Sequence, residues 1–215
     1  MKACIFDLDG TLINSLEDLA EGINRMLDDH GYPRQPIEAF PLYIGDGVRS
    51  LVLKALPESV LESEDIEARV ADYQRHYQDT WKDKTSPYPG ITDLLKTLHA
   101  EGFKLAVLSN KPHAFTQLCC DHFFPDVSFE VVFGARPNVP RKPDPAGAFE
   151  IAEILGLKPD ECAFIGDSGF DMATAVNAGM LPVGVTWGFR DEEELRSFGA
   201  KVLISQAEEL LAVLR

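Results

Sequence analysis

The stretch that decides the fold is Ala3-Cys4-Ile5-Phe6-Asp7-Leu8-Asp9-Gly10-Thr11. Residues 3–8 form a short apolar run interrupted only by Asp7, and the run breaks at Gly10-Thr11. That pattern reads as a buried strand ending in a turn. Asp7 and Asp9 stand two residues apart, so on extended backbone their carboxylates can face the same side. Such a pair suits nucleophilic attack by one carboxylate while the other moves protons. Backbone donors at Gly10-Thr11 could face an anion. The same residues also read as a strand closed by an ordinary acidic Asp-Gly turn.

Downstream of this strand the pattern becomes helical. Ser15-Leu16-Glu17-Asp18 has helix-start chemistry, with Ser15 as cap and Asp18 three residues on. Leu16, Leu19, Ala20, Ile23 and Leu27 follow at helical spacing until Gly31 and Pro33. The stretch from about 47 to 83 is again helical, interrupted near Pro57, and nothing between 15 and 84 reads as a strand. After Pro87-Tyr88-Pro89-Gly90, apolar runs alternate with helices. The runs are 104–109, 129–133, 163–166, 181–185 and 202–204; Ser205 with Glu208 resembles a further capping box. Short apolar strands alternating with helices imply an α/β protein with a parallel sheet covered on both faces. The expected organisation is a core of residues 1–14 and 85–215 with an inserted all-helical subdomain at 15–84.

Ligands of an open parallel sheet bind at the carboxyl ends of its strands. Leu108-Ser109-Asn110-Lys111 offers a hydroxyl and a backbone N–H for a phosphoryl oxygen, or simply a cap or turn. Arg141-Lys142-Pro143-Asp144-Pro145 supplies a lysine just before a helix, which could neutralise a phosphoryl group and an attacking carboxylate. In Ile165-Gly166-Asp167-Ser168-Gly169-Phe170-Asp171 two carboxylates stand four residues apart at a strand-to-helix junction. They suit a hard, oxygen-seeking cation such as magnesium, or the capping of the next helix. Capping and turn-making explain each end singly; they do not explain all four together.

The formal net charge is -15, with 35 acidic against 20 basic side chains, and the longest basic cluster is Arg141-Lys142. A nucleic-acid partner needs a basic stripe and is not expected. No apolar run approaches the length needed to span a bilayer, and the amino terminus turns acidic before a secretory apolar region can develop. A cytoplasmic protein without membrane contacts is the expectation, as a monomer or weak dimer. Cys4, Cys119, Cys120 and Cys162 match no zinc spacing, and Cys4 and Cys162 read as small buried hydrophobes.

The order Asp-x-Asp-Gly-Thr, Ser-Asn, Lys-Pro and Gly-Asp-Ser-x-x-x-Asp, at Asp7, Ser109, Lys142 and Asp167, resembles the four motifs of the haloacid dehalogenase-like hydrolase superfamily over nearly the whole chain. The resemblance implies a Rossmann-like core with a helical cap. It implies a phosphatase or phosphomutase in which Asp7 attacks phosphorus and binds Mg2+. By the same resemblance Asp9 protonates the leaving alcohol, activates water and coordinates the metal through its carbonyl. Asp167 is implied as a metal ligand, Asp171 as a ligand through water or as the group orienting Lys142. Ser109 and Asn110, with Thr11, are implied to hold the transferring phosphoryl group. Tyr43-Ile44-Gly45-Asp46-Gly47-Val48-Arg49-Ser50-Leu51-Val52 and Ser109-Asn110-Lys111-Pro112 are similar to segments of phosphoglycolate phosphatases. Gly45 would then let backbone approach a small anionic phosphate ester, and Arg49 would pair with its carboxylate, unless they are a helix-start loop and a solvated face. Gly169-Phe170 departs from the polar residues common there in that branch, and Trp187-Gly188-Phe189-Arg190 either lines the site rim or makes ordinary aromatic contacts. The leading expectation is hydrolysis of 2-phosphoglycolate. A phosphosugar mutase, a phosphatase for nucleotides, pyrophosphate or sugar phosphates, and a non-catalytic binder are the alternatives.

Overall fold

The computed structural model describes residues 1–214. In chain order the elements begin with strands β1 (Ala3–Phe6) and β2 (Ile13–Asn14). Helices α1 (Leu16–Asp29), α2 (Phe40–Tyr43), α3 (Val48–Ala55) and α4 (Ile66–Thr80) follow. Next come β3 (Ser86–Pro87), α5 (Ile91–Ala100), β4 (Lys104–Pro112), α6 (His113–Phe123), β5 (Val131–Ala135) and α7 (Ala146–Leu155). The chain closes through β6 (Cys162–Gly166), α8 (Gly169–Ala178), β7 (Leu181–Val185), α9 (Glu192–Ser197), β8 (Val202–Ile204) and α10 (Glu209–Leu214). Two compact units result: Met1–Asn14 with the chain from Pro87 onward, and Ser15–Ser86.

The larger unit holds a six-stranded sheet in the order β5-β4-β1-β6-β7-β8, every neighbouring pair parallel. Helices cover both faces. The reason is legible in β1: Ala3 and Ile5 join one core cluster with Ala106, Leu108, Cys162, Phe164 and α7, while the alternate residues Cys4 and Phe6 are equally buried. A strand with no solvent face must be apolar at every position, which is why the period-2 alternation is absent. All four cysteines are buried and free, Cys4 and Cys162 inside this core as expected.

The smaller unit packs α4 against α1 and α3. Leu19, Ile23, Met26 and Leu27 of α1 are buried, with Val70, Tyr73 and Tyr77 from α4 and Leu51 and Val52 from α3. The last two aromatics of α4 stack with ring centroids 5.5 Å apart. The capping box expected at Ser15 does not form. Ser15 makes no side-chain cap, and Asp18 instead accepts bonds from Lys84 N–H, Thr85 N–H and the Thr85 hydroxyl. The second expected box also shifts by one residue: Glu209, not Glu208, accepts from Ser205 N–H at 2.8 Å. Among the described residues no helix is long and apolar enough to cross a membrane.

Candidate active site

β1 is the strand at which the sheet order reverses direction, with β4 on one side and β6 on the other. That is where an open α/β sheet opens a crevice at its carboxyl edge. Phe6 pairs in register with Val107 and with Ile165. The next residue on each strand therefore falls in one row: Asp7, Leu108 and Gly166. Asp7 N–H continues the ladder by donating to Ile165 O at 2.9 Å. Ser109 and Asp167 each stand one residue beyond that row, so register brings these residues, far apart in the chain, to the same edge of the sheet as Asp7.

Lys142 lies 4% exposed, its ammonium 2.9 Å from Asp7 Oδ1 and 2.6 Å from Asp171 Oδ1. Burial alone would lower its proton affinity, but Asp171 and Asp7 outweigh burial and hold the ammonium above its ordinary range. The Asp171 carboxylate is fully buried, and its other oxygen accepts from the Ser168 hydroxyl at 2.6 Å and the Ser168 N–H at 3.0 Å. Capping of α8 and orientation of Lys142 are therefore one arrangement, not alternatives. Asp167 is gripped by the Thr11 hydroxyl at 3.0 Å and by Phe189 N–H at 2.8 Å. Gly10 makes room for it with φ +86°; a Cβ there would stand 2.6 Å from Asp167 Cγ.

Two side chains expected to touch substrate also make hydrogen bonds within the chain. Thr11 donates to Asp167, because the turn after β1 folds back under the β6 end. Asn110 holds both backbone groups of Lys142, donating to its carbonyl and accepting from its N–H, each at 3.0 Å. Its amide thus fixes the loop that delivers the lysine. Ser109 Oγ accepts from Lys111 N–H at 3.2 Å, which leaves a hydroxyl hydrogen to donate.

Burial raises the Asp7 carboxyl well above the usual carboxylate range; Lys142 pulls it back and Asp171 pushes it further up. Asp167 is raised likewise, by burial first and then by Asp171 and Asp7, against the Phe189 and Thr11 hydrogen bonds. Carboxylate oxygens of Asp7, Asp167 and Asp171 lie within 4.8 Å of one another. Asp7 Oδ1 is buried and, although at ion-pair distance from Lys142, takes no directed hydrogen bond. An all-oxygen donor set, an unsatisfied buried oxygen and carboxylates that resist ionising together fit a divalent hard cation.

Three contacts lie outside the expected set. Lys111 Nζ stands 3.0 Å from both oxygens of Asp9. Trp187 Nε1 donates to Thr11 O at 3.1 Å, and Gly188 with Phe189 closes over Asp167. Lys111 lies past the apolar run, where β4 continues to Pro112 with an irregular register against β5 between Leu108 and Pro112. The segment 187–189 accordingly belongs to the site rim. Gly45 (φ +121°) and Arg49 lie in the smaller unit, where Arg49 pairs with Glu67 at 2.9 Å, both side chains exposed.

The profile of the haloacid dehalogenase-like hydrolases matches residues 1–179. Phosphoglycolate phosphatase 1 of Pseudomonas aeruginosa is 32% identical over 98% of this chain and 78% of its own length. The phosphoglycolate phosphatase of Psychrobacter arcticus is 35% identical over 89% of this chain and 86% of its own. A crystal structure of a predicted phosphoglycolate phosphatase from Haemophilus somnus superposes with a TM-score of 0.90 at 29% identity, covering 100% of this chain and 98% of that one.

Proposed function

The chain belongs to the haloacid dehalogenase-like hydrolases, as a phosphatase of that family, and we propose that it hydrolyses a small phosphate monoester through an aspartyl-phosphate on Asp7, with 2-phosphoglycolate as substrate. The observation that carries this reading is the convergence of Asp7, Lys142 and Asp167 at the carboxyl edge of neighbouring strands.

An Asp7 oxygen attacks phosphorus, forming an acyl phosphate as the ester P–O bond breaks, while Asp9 gives its proton to the departing alkoxide. Water then attacks the phosphoenzyme, Asp9 takes the water's proton, and inorganic phosphate leaves with the Asp7 carboxylate restored. Lys142, fixed by Asp171 and Asn110, stays beside the attacking oxygen and offsets charge on the phosphoryl group. Ser109 donates its hydroxyl hydrogen to a phosphoryl oxygen. Mg2+ would be held by Asp7 and Asp167, with the Asp9 carbonyl and with Asp171 behind Lys142, and would supply charge neutralisation of the phosphoryl oxygens. Gly45 and Arg49 are assigned the reading of the substrate beyond its phosphate. The Arg49–Glu67 pair is exposed and worth at most about 1 kcal/mol, so it releases the guanidinium readily.

The test is phosphate release from a panel of esters with magnesium present and then chelated, alongside Asp7→Asn. Preference for 2-phosphoglycolate, lost on chelation and absent in the variant, supports the reading. Preference for a nucleotide, pyrophosphate or a sugar phosphate would keep the mechanism and replace the substrate. Phosphate transfer between sugar hydroxyls without release would replace hydrolysis by a mutase reaction, and near-normal turnover in Asp7→Asn would sink the mechanism.

A further inference from the structure

We propose that Lys111 is a positioning residue for Asp9, holding that carboxylate in the orientation from which it serves the leaving group; this rests on the acid–base role given to Asp9 above. The ammonium of Lys111 is equidistant, at 3.0 Å, from both Asp9 oxygens, and the side chains are only 3% and 11% exposed. An ammonium 3.0 Å from both oxygens acts as a point charge that fixes the position of the carboxylate and the direction in which it faces.

The lysine is itself held at both backbone ends. Its N–H donates to Ser109 Oγ at 3.2 Å, and its carbonyl accepts from Thr116 Oγ1 at 3.2 Å. Gly134 lies against that carbonyl so closely that a Cβ there would stand 2.5 Å from it. A long cationic side chain rooted this firmly, and enclosed along its stem, has lost the rotamer freedom of a surface lysine. The site thus carries two buried ammonium groups with separate duties. Lys142 faces the nucleophile and Asp171, and Lys111 faces the acid–base carboxylate. The chemical consequence is specific: Lys111 matters for breaking bonds whose leaving oxygen must be protonated, and little for those whose leaving oxygen departs as a stable anion.

The experiment compares kcat/KM for ethyl phosphate, a poor leaving group, with that for 4-nitrophenyl phosphate, a good one. Both are measured in the wild type, Lys111→Met, Lys111→Arg, Asp9→Asn and the Lys111→Met/Asp9→Asn double variant. The ratio of the two values within one preparation is independent of how much protein is folded. Lys111→Met is expected to lower the ethyl-to-nitrophenyl ratio at least tenfold, and Lys111→Arg to return part of it. In the Asp9→Asn background Lys111→Met should leave the ratio unchanged, because a positioning residue has no effect once its client is gone. An unchanged ratio in Lys111→Met, or an equal further fall in the double variant, overturns the proposal. So does a loss confined to 2-phosphoglycolate with ethyl phosphate untouched, which would make Lys111 a contact of the substrate carboxylate. A wild type that releases phosphate from no ester overturns the reading of the whole site and this inference with it, whereas an active wild type with an unmoved ratio overturns this inference alone.

Discussion

A Cβ placed on Gly188 would stand 2.5 Å from Asp167 Oδ2 and 2.5 Å from the carbonyl oxygen of Gly10. The backbone after β7 can therefore lie against the Asp167 carboxylate only because residue 188 has no side chain. The contact also sets Phe189 N–H on Asp167 Oδ2. Gly188→Ala should push the segment away from Asp167 and shift that carboxylate by a few tenths of an ångström or more. A misplacement of about 1 Å costs about 100-fold in rate, so a loss up to that size is expected. Steady-state kinetics on a variant with unchanged circular dichroism would check it; wild-type kcat/KM would show that the close approach has no part in catalysis.

Lys142 neutralises two buried carboxylates at once, so its removal leaves both without their cation. Breaking a buried pair in this way costs about 3–5 kcal/mol. Lys142→Met should lower the urea midpoint accordingly in the presence of a chelator. Magnesium should restore part of the loss, since a divalent ion supplies the missing positive charge. Stability equal to the wild type without metal would mean that the cluster is already neutralised by bound protons.

Asp7 and Asp167 both hold their protons more tightly in the fold than an unfolded carboxyl does. The native state therefore binds more protons than the unfolded chain once pH rises past the ordinary carboxylate range near about 4. Stability contributed by these groups is greatest below that range and falls with rising pH until both ionise in the fold. In chelator, the melting temperature should decline from mildly acidic pH toward neutrality and beyond. Magnesium, which binds the ionised form, should raise the melting temperature more at pH 8 than at pH 5. A metal stabilisation that does not grow with pH would contradict the placement of the ion among these carboxylates.

Arg49 is paired only at the surface of its own unit, with Glu67. Arg49→Ala should leave the melting temperature where it is. If the guanidinium reads the substrate carboxylate, KM for 2-phosphoglycolate rises about 10- to 100-fold, the worth of one charged hydrogen bond, while ethyl phosphate is unaffected. Equal effects on both esters would remove Arg49 from substrate selection.

The core was legible in the sequence because buried parallel strands are apolar at every position, and three of them, β1, β4 and β6, run into residues too polar for the run they close. Asp7, Ser109 and Asp167 stood out for that reason, Lys142 by its place before a helix, and Asp171 by its spacing from Asp167. Lys111 did not: the apolar run of β4 ends at Leu108, whereas the strand continues through four more residues to Pro112. Nothing local marks that extension; it comes from pairing with β5 at Ala135. The bonds that Thr11 and Asn110 make within the chain were not legible, since their partners, Asp167 and Lys142, are 156 and 32 residues away. Asp18 mimicked a capping residue for the same reason, its true partners lying 66 and 67 residues downstream.

The separation of these partners also orders how the fold is completed. β1, which leads into Asp7, is an inner strand, and its neighbour β6 is made about 150 residues later. The Thr11–Trp187 bond closes a gap of 176 residues. Contacts this distant are slow to form and form late. A chain that has not yet exposed residue 189 carries Asp7 without the segment that encloses Asp167, so the last wall of this carboxylate pocket is also the last to be made.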